Sequence, residues 1–360
     1  MAARPTLILD VMGADLGAEE IVRGAAQACA DSPEPFDLVL VSADPEEAQR
    51  LIARHLSGPA GKCGCKVELI AAGQRLPEHI DSPVDVYKNF PGCSIRLAME
   101  RAKDDAHSAV VSPGTTGLVM TAALFTLGRV RGIERPPIGT PLPTRGKELF
   151  FVDGGSNVDC RPVHLYQFAV LAHLYLKNIR KVERPRIALL SNGSEEYKGN
   201  AVVREAYSLI AADKDLNFAG FTEGHTVLAG DLDIMVCDGF LGNVLLKFAE
   251  GVAEAFVYLL KQELKRDLLA ALAAKLLQRR ALKRLANRVD YAAFGGAPLL
   301  GLNGNVVICH GRSNAKAIRN ALLVARPLAQ SNIAQMVAQY VEAHEHLAAG
   351  RNGGRTNSAG

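Results

Sequence analysis

The chain has 360 residues, 48% of them hydrophobic and 22% charged, with a formal net charge of +3. This is the composition of a soluble globular protein with material for one large or two ordinary domains. It argues against nucleic acid as a partner; no apolar run is long enough to span a bilayer, and MAARPTLILD enters a strand pattern too early for a signal peptide.

Thr6 to Leu9 reads as a strand closed by Asp10-Val-Met-Gly13-Ala-Asp15-Leu-Gly17, with a helix from about Ala18 to Ala30. A second strand, Phe36 to Val41, leads to a helix from Pro45 to His55 with proline in its first turn. Ser57 to Gly64 reads as a Gly/Pro turn region, Val67 to Ala71 as a third strand, and Leu76 to Pro91 as a loop without a period. A helix spans Ser94 to Asp104. The strand Ala109 to Val111 then runs into Ser112-Pro-Gly114-Thr-Thr116-Gly117 and a helix from Leu118 to Leu127. That loop presents glycines and hydroxyls at a helix start, which suits either an anion or an ordinary structural cap.

Ile133 to Pro143 is proline-rich and must extend or turn. The strand Leu149 to Val152 ends in Asp153-Gly-Gly-Ser-Asn157, before a helix from Pro162 to Tyr175. The strand Arg186 to Leu190 ends in Ser191-Asn-Gly-Ser-Glu195-Glu-Tyr-Lys198-Gly199-Asn200, before a helix to about Ala212. Ile234 to Cys237 ends at Asp238-Gly239, and Gly242-Asn243 opens an amphipathic pattern; Asp238 either caps that helix or serves a site. The strand Val306 to Cys309 meets His310-Gly-Arg-Ser313-Asn314 and a helix from Ala315 to Val324, and a last helix covers Gln330 to Leu347. Residues 351–360 read as a disordered tail.

Strand, glycine-rich loop and helix alternate along the chain, which predicts an α/β fold with a mostly parallel sheet and helices on both faces. Ligands of such folds sit beyond the carboxyl ends of the strands. The expected rim carries Asp10, Asp15, Thr115, Asp153, Asn157, Glu195, Lys198, Asp238, Asn243 and His310. No G-x-G-x-x-G follows the first strand, which argues against a dinucleotide bound in the Rossmann manner. Seven scattered cysteines read as reduced thiols of a cytoplasmic protein, and Cys63-x-Cys65 lacks the matching pair of a zinc motif.

Residues 252–288 break the alternation with a continuous leucine-rich helical pattern. Its basic side includes Lys275, Arg279, Arg280, Lys283 and Arg284, a surface for an anionic membrane or an acidic protein. The same stripe also suits packing on its own domain or on a second subunit. The reading is one α/β catalytic domain, residues 1–348, with a helical insertion at 252–290 and a tail at 349–360.

LDVMGADLG, VSPGTTGLVM, VDGGSNVDCRP, LLSNGSEEYKGN, CDGFLGNVLLKFAEG, FGGAPLLGLNG and ICHGRSNAKAI, running from residue 9 to residue 318, together resemble the PlsX-type phosphate acyltransferases. Departures are Val11 and Ala14 where the family reads like DAMGGD, Thr115 where it carries Asn, and Ser191-Asn192-Gly193 where it reads like LNIG. The resemblance implies a Rossmann-like α/β/α sandwich related to the isopropylmalate and isocitrate dehydrogenases, usually a homodimer. It implies transfer of a long fatty acyl group from acyl carrier protein, the acidic protein that the basic side of residues 252–288 would meet, to inorganic phosphate, and hand-over of the acyl phosphate to a membrane glycerol-3-phosphate acyltransferase.

That chemistry needs an anion site, donors to an oxyanion, and a group that orients phosphate or protonates the leaving thiol. Lys198, Asp238, Asn243 and His310 are the expected catalytic groups. Asp10, Gly13, Asp15, Gly114, Thr116, Gly117, Asn157, Glu195, Gly199, Asn200, Gly239, Gly242, Ser313 and Asn314 are the expected phosphate or substrate contacts. Direct attack by phosphate needs no acyl-enzyme, no organic cofactor and no metal. Alternative readings are a phosphotransacetylase-like enzyme using acyl-coenzyme A, an isopropylmalate-type dehydrogenase, and a non-catalytic scaffold at the membrane.

Overall fold

The computed structural model describes residues 4–77, 79–266, 295–344 and 346–347. The tail and the insertion beyond Arg266, with Lys275, Arg279, Arg280, Lys283 and Arg284, lie outside the described residues.

The strands divide into two sheets, a partition that alternation alone does not decide. The larger has the order β10-β11-β4-β1-β2-β3. Its members are β1 (Thr6–Asp10), β2 (Asp37–Ser42), β3 (Val67–Ala71), β4 (Ser108–Ser112), β10 (Ala297–Leu299) and β11 (Asn305–Ile308). The smaller has the order β5-β6-β9-β7-β8, from β5 (Gly139–Leu142), β6 (Leu149–Val152), β7 (Arg186–Leu190), β8 (Asn217–Thr222) and β9 (Ile234–Val236). Every pairing is parallel except β10 with β11 and β5 with β6. These two antiparallel edges meet: Ile138 bridges Leu299, and the Leu300 N–H donates to the Pro137 carbonyl at 3.0 Å.

Because both faces of the larger sheet are covered, its strands read as unbroken apolar runs. Leu7 and Leu9 enter one core and Ile8 the other, as alternation along a strand requires. The first core also takes in Phe150, Ile187 and Ile234, so it continues beneath the smaller sheet. The helix α7 (Pro162–Asn178) is buried without interruption from His164 to Leu176, which explains its weak amphipathic pattern.

The helices α1 (Ala18–Asp31), α5 (Ser94–Lys103), α6 (Thr116–Thr126) and α8 (Ala201–Ala212) follow the expected pattern. Three helical segments differ, and β8 and β10 are strands that the sequence reading did not predict. The turn region at Ser57 is helical: α2 (Pro45–Leu51) passes through one π turn, Ile52–Leu56, into α3 (Ser57–Cys63). Left-handed Gly64 ends the helix. The loop after Leu76 contains α4 (Pro83–Asn89), capped by the Ser82 hydroxyl; seven residues are too few to show a period. Finally, the helix from Ala315 runs on to Ala329 (α10, Ala315–Ala329) despite Pro327, and α11 (Ile333–Ala343) is shorter than expected.

Candidate active site

β1, β4 and β11 are parallel neighbours, so their carboxyl ends present the loops at 10–17, 112–117 and 310–314 side by side. Asp10 is only 2% exposed; its carboxylate accepts the Ser112 hydroxyl at 2.8 Å and the Met12 N–H at 3.0 Å. It ties β1 to the loop after β4 from beneath. Gly13 has φ 87°, and a Cβ there would stand 3.0 Å from the Gly114 α-carbon, so the two loops touch through their glycines. The Asp15 N–H donates to the Gly311 carbonyl at 2.8 Å, which joins the third loop to the first.

Burial pushes the Asp10 carboxyl up from its ordinary 3.8 to about 6, against the hydrogen bonds that lower it. Folded Asp10 therefore keeps its proton between about pH 4 and 6, where the unfolded chain has lost it. The stability this contributes is complete below pH 3.8 and is lost as pH rises through about 6. The expected loss across that window is about 3 kcal/mol. Urea melts at pH 4 and 7 should show it in the wild type and not in Asp10→Asn; equal slopes for the two proteins would contradict it.

At the second set of tips, β7, β9 and β6 are again parallel neighbours, presenting loops 191–200, 238–243 and 153–157. Asp153 is fully buried and accepts from the N–H groups of Ile138, Gly155, Ser156 and Asn157, from the Ser156 hydroxyl and from the Asn157 amide. Asn157 is 6% exposed; its amide also donates to the Pro136 carbonyl, and its own carbonyl takes the Gly239 N–H at 2.7 Å. A Cβ at Gly239 would lie 2.7 Å from the Asn157 nitrogen, and one at Gly242 would lie 1.9 Å from the Asp153 carbonyl oxygen. These two glycines admit the neighbouring loop.

Several expected site residues have capping work. Asp238 Oδ1 accepts the Leu241 N–H at 2.8 Å, at the start of α9 (Gly239–Arg266). Asn200 caps α8, and Asn314 caps α10, where the Ala315 N–H also donates to Glu20. Ser313 is buried and donates its N–H to the His310 carbonyl. By contrast, Thr115 makes no side-chain capping bond at the start of α6, where Thr116 and Gly117 sit; Gly117 lies against Pro83.

Lys198 is half-buried, its ammonium 5.3 Å from the centre of the Tyr197 ring, and it has no ion pair among the described residues. Its N–H donates to the Glu195 carbonyl at 2.9 Å, and both side chains fold over Gly193; Gly199 holds the turn through Asn192. Asn243 is exposed beside Gly155. His310 is exposed, and its Nδ1 accepts the Arg312 N–H at 3.1 Å, which leaves the proton of the neutral ring on Nε2.

A cleft of about 680 Å³ opens between α6 and the loop after β6; of the expected site residues only Asn157 lines it, and Lys198, Asp238, Asn243 and His310 do not. Met120, Leu124 and Phe125 of α6 form an apolar wall; Ser156, Asn157 and the guanidinium-bearing Arg129, Arg135 and Arg161 face it. Arg161 pairs with Glu134, the cleft's one carboxylate among the described residues. His164 Nε2 meets the same carboxylate at 2.9 Å, while its Nδ1 accepts the Arg161 N–H. Burial, then the charges of Arg161 and Arg135, hold His164 down at about 4, so it is neutral and the cleft carries net positive charge. Sequence reading missed these arginines. For Arg135 and Arg161 the only signal was position beside a proline, at Arg135-Pro136 and Arg161-Pro162, and Arg129 carried none.

Cys237 and Cys309 are buried, and burial pushes both thiols up, Cys309 to about 12. Neither is a thiolate at neutral pH.

A family model described as fatty acid synthesis protein matches residues 6–336. The chain is 40% identical over 347 residues to a phosphate acyltransferase of Pelotomaculum thermopropionicum, covering 96% of this chain and 98% of that one. It is 41% identical over 336 residues to a phosphate acyltransferase of Geotalea uraniireducens, covering 93% of each. Among solved structures, a phosphotransacetylase from Streptococcus pyogenes matches with TM-score 0.60 at 19% identity, over 90% of this chain and 94% of that one. A branched-chain phosphotransacylase from Enterococcus faecalis matches with TM-score 0.52 at 13% identity, over 90% and 99%. At those identities the two structures share the α/β fold with this chain.

Proposed function

The chain belongs to the fatty acid synthesis protein family, that of the PlsX-type phosphate acyltransferases, and from that premise we propose its complete reaction. The enzyme transfers an acyl group to phosphate for phospholipid synthesis. Its donor is the thioester of acyl carrier protein and its acyl group a long one. A phosphate oxygen attacks the thioester carbonyl, the carbon–oxygen bond forms, the carbon–sulfur bond breaks, and the departing thiolate takes a proton.

The observation that carries this reading is the cleft, where an apolar wall faces three guanidinium groups. Such a space takes an acyl chain along one side and anionic groups along the other. Lys198 and the side-chain-uncapped start of α6 are the proposed holders of phosphate, since a helix N-terminus and an ammonium both attract an anion. Asn243 donates to the oxyanion. His310, with its proton on Nε2, donates to the oxyanion or the leaving sulfur, and Asp238 orients the phosphate with the oxygen not engaged by Leu241.

Carrier choice separates this reading from a coenzyme A-dependent one. With acyl carrier protein and coenzyme A thioesters of the same chain, kcat/KM should favour the carrier protein, and the preference should fall with salt as steering by basic surface is screened. Equal use of the two would overturn the carrier assignment.

We also assign the exposed stripe of α9 to a second copy of the chain. Phe240, Val244, Phe248, Val252 and Phe256 recur every fourth residue and are 50–69% exposed. A stripe of that size is not left to water in a stable monomer. The double variant Phe248→Asp/Phe256→Asp should sediment as a monomer where the wild type sediments as a dimer; an unchanged sedimentation coefficient would contradict the assignment. No helix among the described residues is long and apolar enough to cross a membrane. Contact with the membrane and its glycerol-3-phosphate acyltransferase is assigned to the basic segment after Arg266.

A further inference from the structure

The Cys63-x-Cys65 pair, which the sequence leaves without partners, gains a third thiol in the fold. Cys29 lies on the buried face of α1, Cys63 is the last residue of α3, and Cys65 precedes β3. The left-handed turn at Gly64 points Cys63 and Cys65 the same way, with their sulfurs 2.7 Å apart. All three sulfurs lie within 4.8 Å of one another.

We propose that Cys29, Cys63 and Cys65 form a three-thiolate site for a thiophilic divalent cation of the zinc class. A cation about 2.3 Å from each sulfur sets the sulfurs roughly 4 Å apart; all three already lie within 4.8 Å, and Cys63 and Cys65 must move apart from 2.7 Å to take it. Zinc needs a fourth ligand, and water supplies it, because Cys63 and Cys65 are partly open to solvent while Cys29 is buried.

Arg4 lies over this turn, its guanidinium 3.8 Å from where a Cβ on Gly64 would be, and its charge suits an anionic cluster. The thiolates form by proton release as the metal binds. The site stands at the amino-terminal end of the larger sheet, away from the loops at the carboxyl ends, so its work is to clamp α1 to the α3–β3 turn.

The test is titration of the reduced full-length protein with cadmium, read by sulfur-to-metal absorbance, with zinc as competitor. The expected result is saturation at one cadmium per chain, displacement by zinc, and a rise in melting temperature with either metal. Cys63→Ser and Cys65→Ser, at the two partly exposed positions, should each weaken binding at least tenfold and leave acyl phosphate formation unchanged. Cys160→Ser should bind as the wild type does. Absence of the absorbance band, or equal binding by the Cys63→Ser and Cys65→Ser variants, would overturn the proposal. So would a chain that forms a Cys63–Cys65 disulfide in air but takes up no cadmium when reduced.

Discussion

Lys198→Ala should lower kcat for acyl transfer to phosphate by about 10²–10³-fold, the usual loss when one donor to developing charge is removed. The ammonium is half-buried, rests beside Tyr197, and meets no carboxylate among the described residues, so its charge is not already spent on a salt bridge. A cation held that way on a glycine-bounded loop is available to an incoming dianion. Lys198→Arg should recover part of the rate, because charge is kept and shape is not. Cys237→Ala should retain most activity: the thiol is buried and donates to the Asp238 carbonyl at 3.1 Å. Phosphate-dependent release of acyl carrier protein, followed for all three variants, reads the difference. An inactive Cys237→Ala beside an active Lys198→Ala would point to a covalent route instead.

The second large effect is expected at Gly242→Ala, through packing. The added methyl would stand 1.9 Å from the Asp153 carbonyl oxygen and 3.0 Å from the Phe151 ring. Backbone cannot yield there cheaply, since Asp153 is the hub on which Ser156 and Asn157 hang. A loss of about 3 kcal/mol in denaturant melts is expected, at the upper end for overpacking. Activity should fall with it, because Ser156 and Asn157 line the cleft. Gly251→Ala, on the same helix with open space around it, should be stabilising by about 1 kcal/mol. If the two substitutions behaved alike, the close approach of α9 to the loop after β6 would be wrong.

What the sequence revealed, and what it hid, follows from range. Strands such as TLILD and helices such as Ala18–Asp31 announce themselves by local period, and the glycine-rich loops by composition. α4 was hidden because a helix of fewer than two turns has no period to read. The role of Asp153 was hidden because its partners are backbone groups, which every residue carries alike. The capping of α8 and α10 by Asn200 and Asn314 was legible in principle, since both residues directly precede a helical run. The arginines of the cleft were not, for they come from two separate turns that only the meeting of α6 with the loop after β6 makes into one surface. Cys29 was likewise separated from Cys63 and Cys65 by β2 and the helical run that ends at Cys63, a gap that the fold closes.

The direct trial of the account is a single turnover: excess purified enzyme is mixed with acyl carrier protein bearing a labelled long acyl group, with and without phosphate, and quenched in acid. With phosphate, label should pass to acyl phosphate in step with release of free carrier protein, and none should stay on the enzyme. Label retained on the enzyme when phosphate is withheld, or carrier released in its presence without acyl phosphate, would contradict direct attack by phosphate in the cleft.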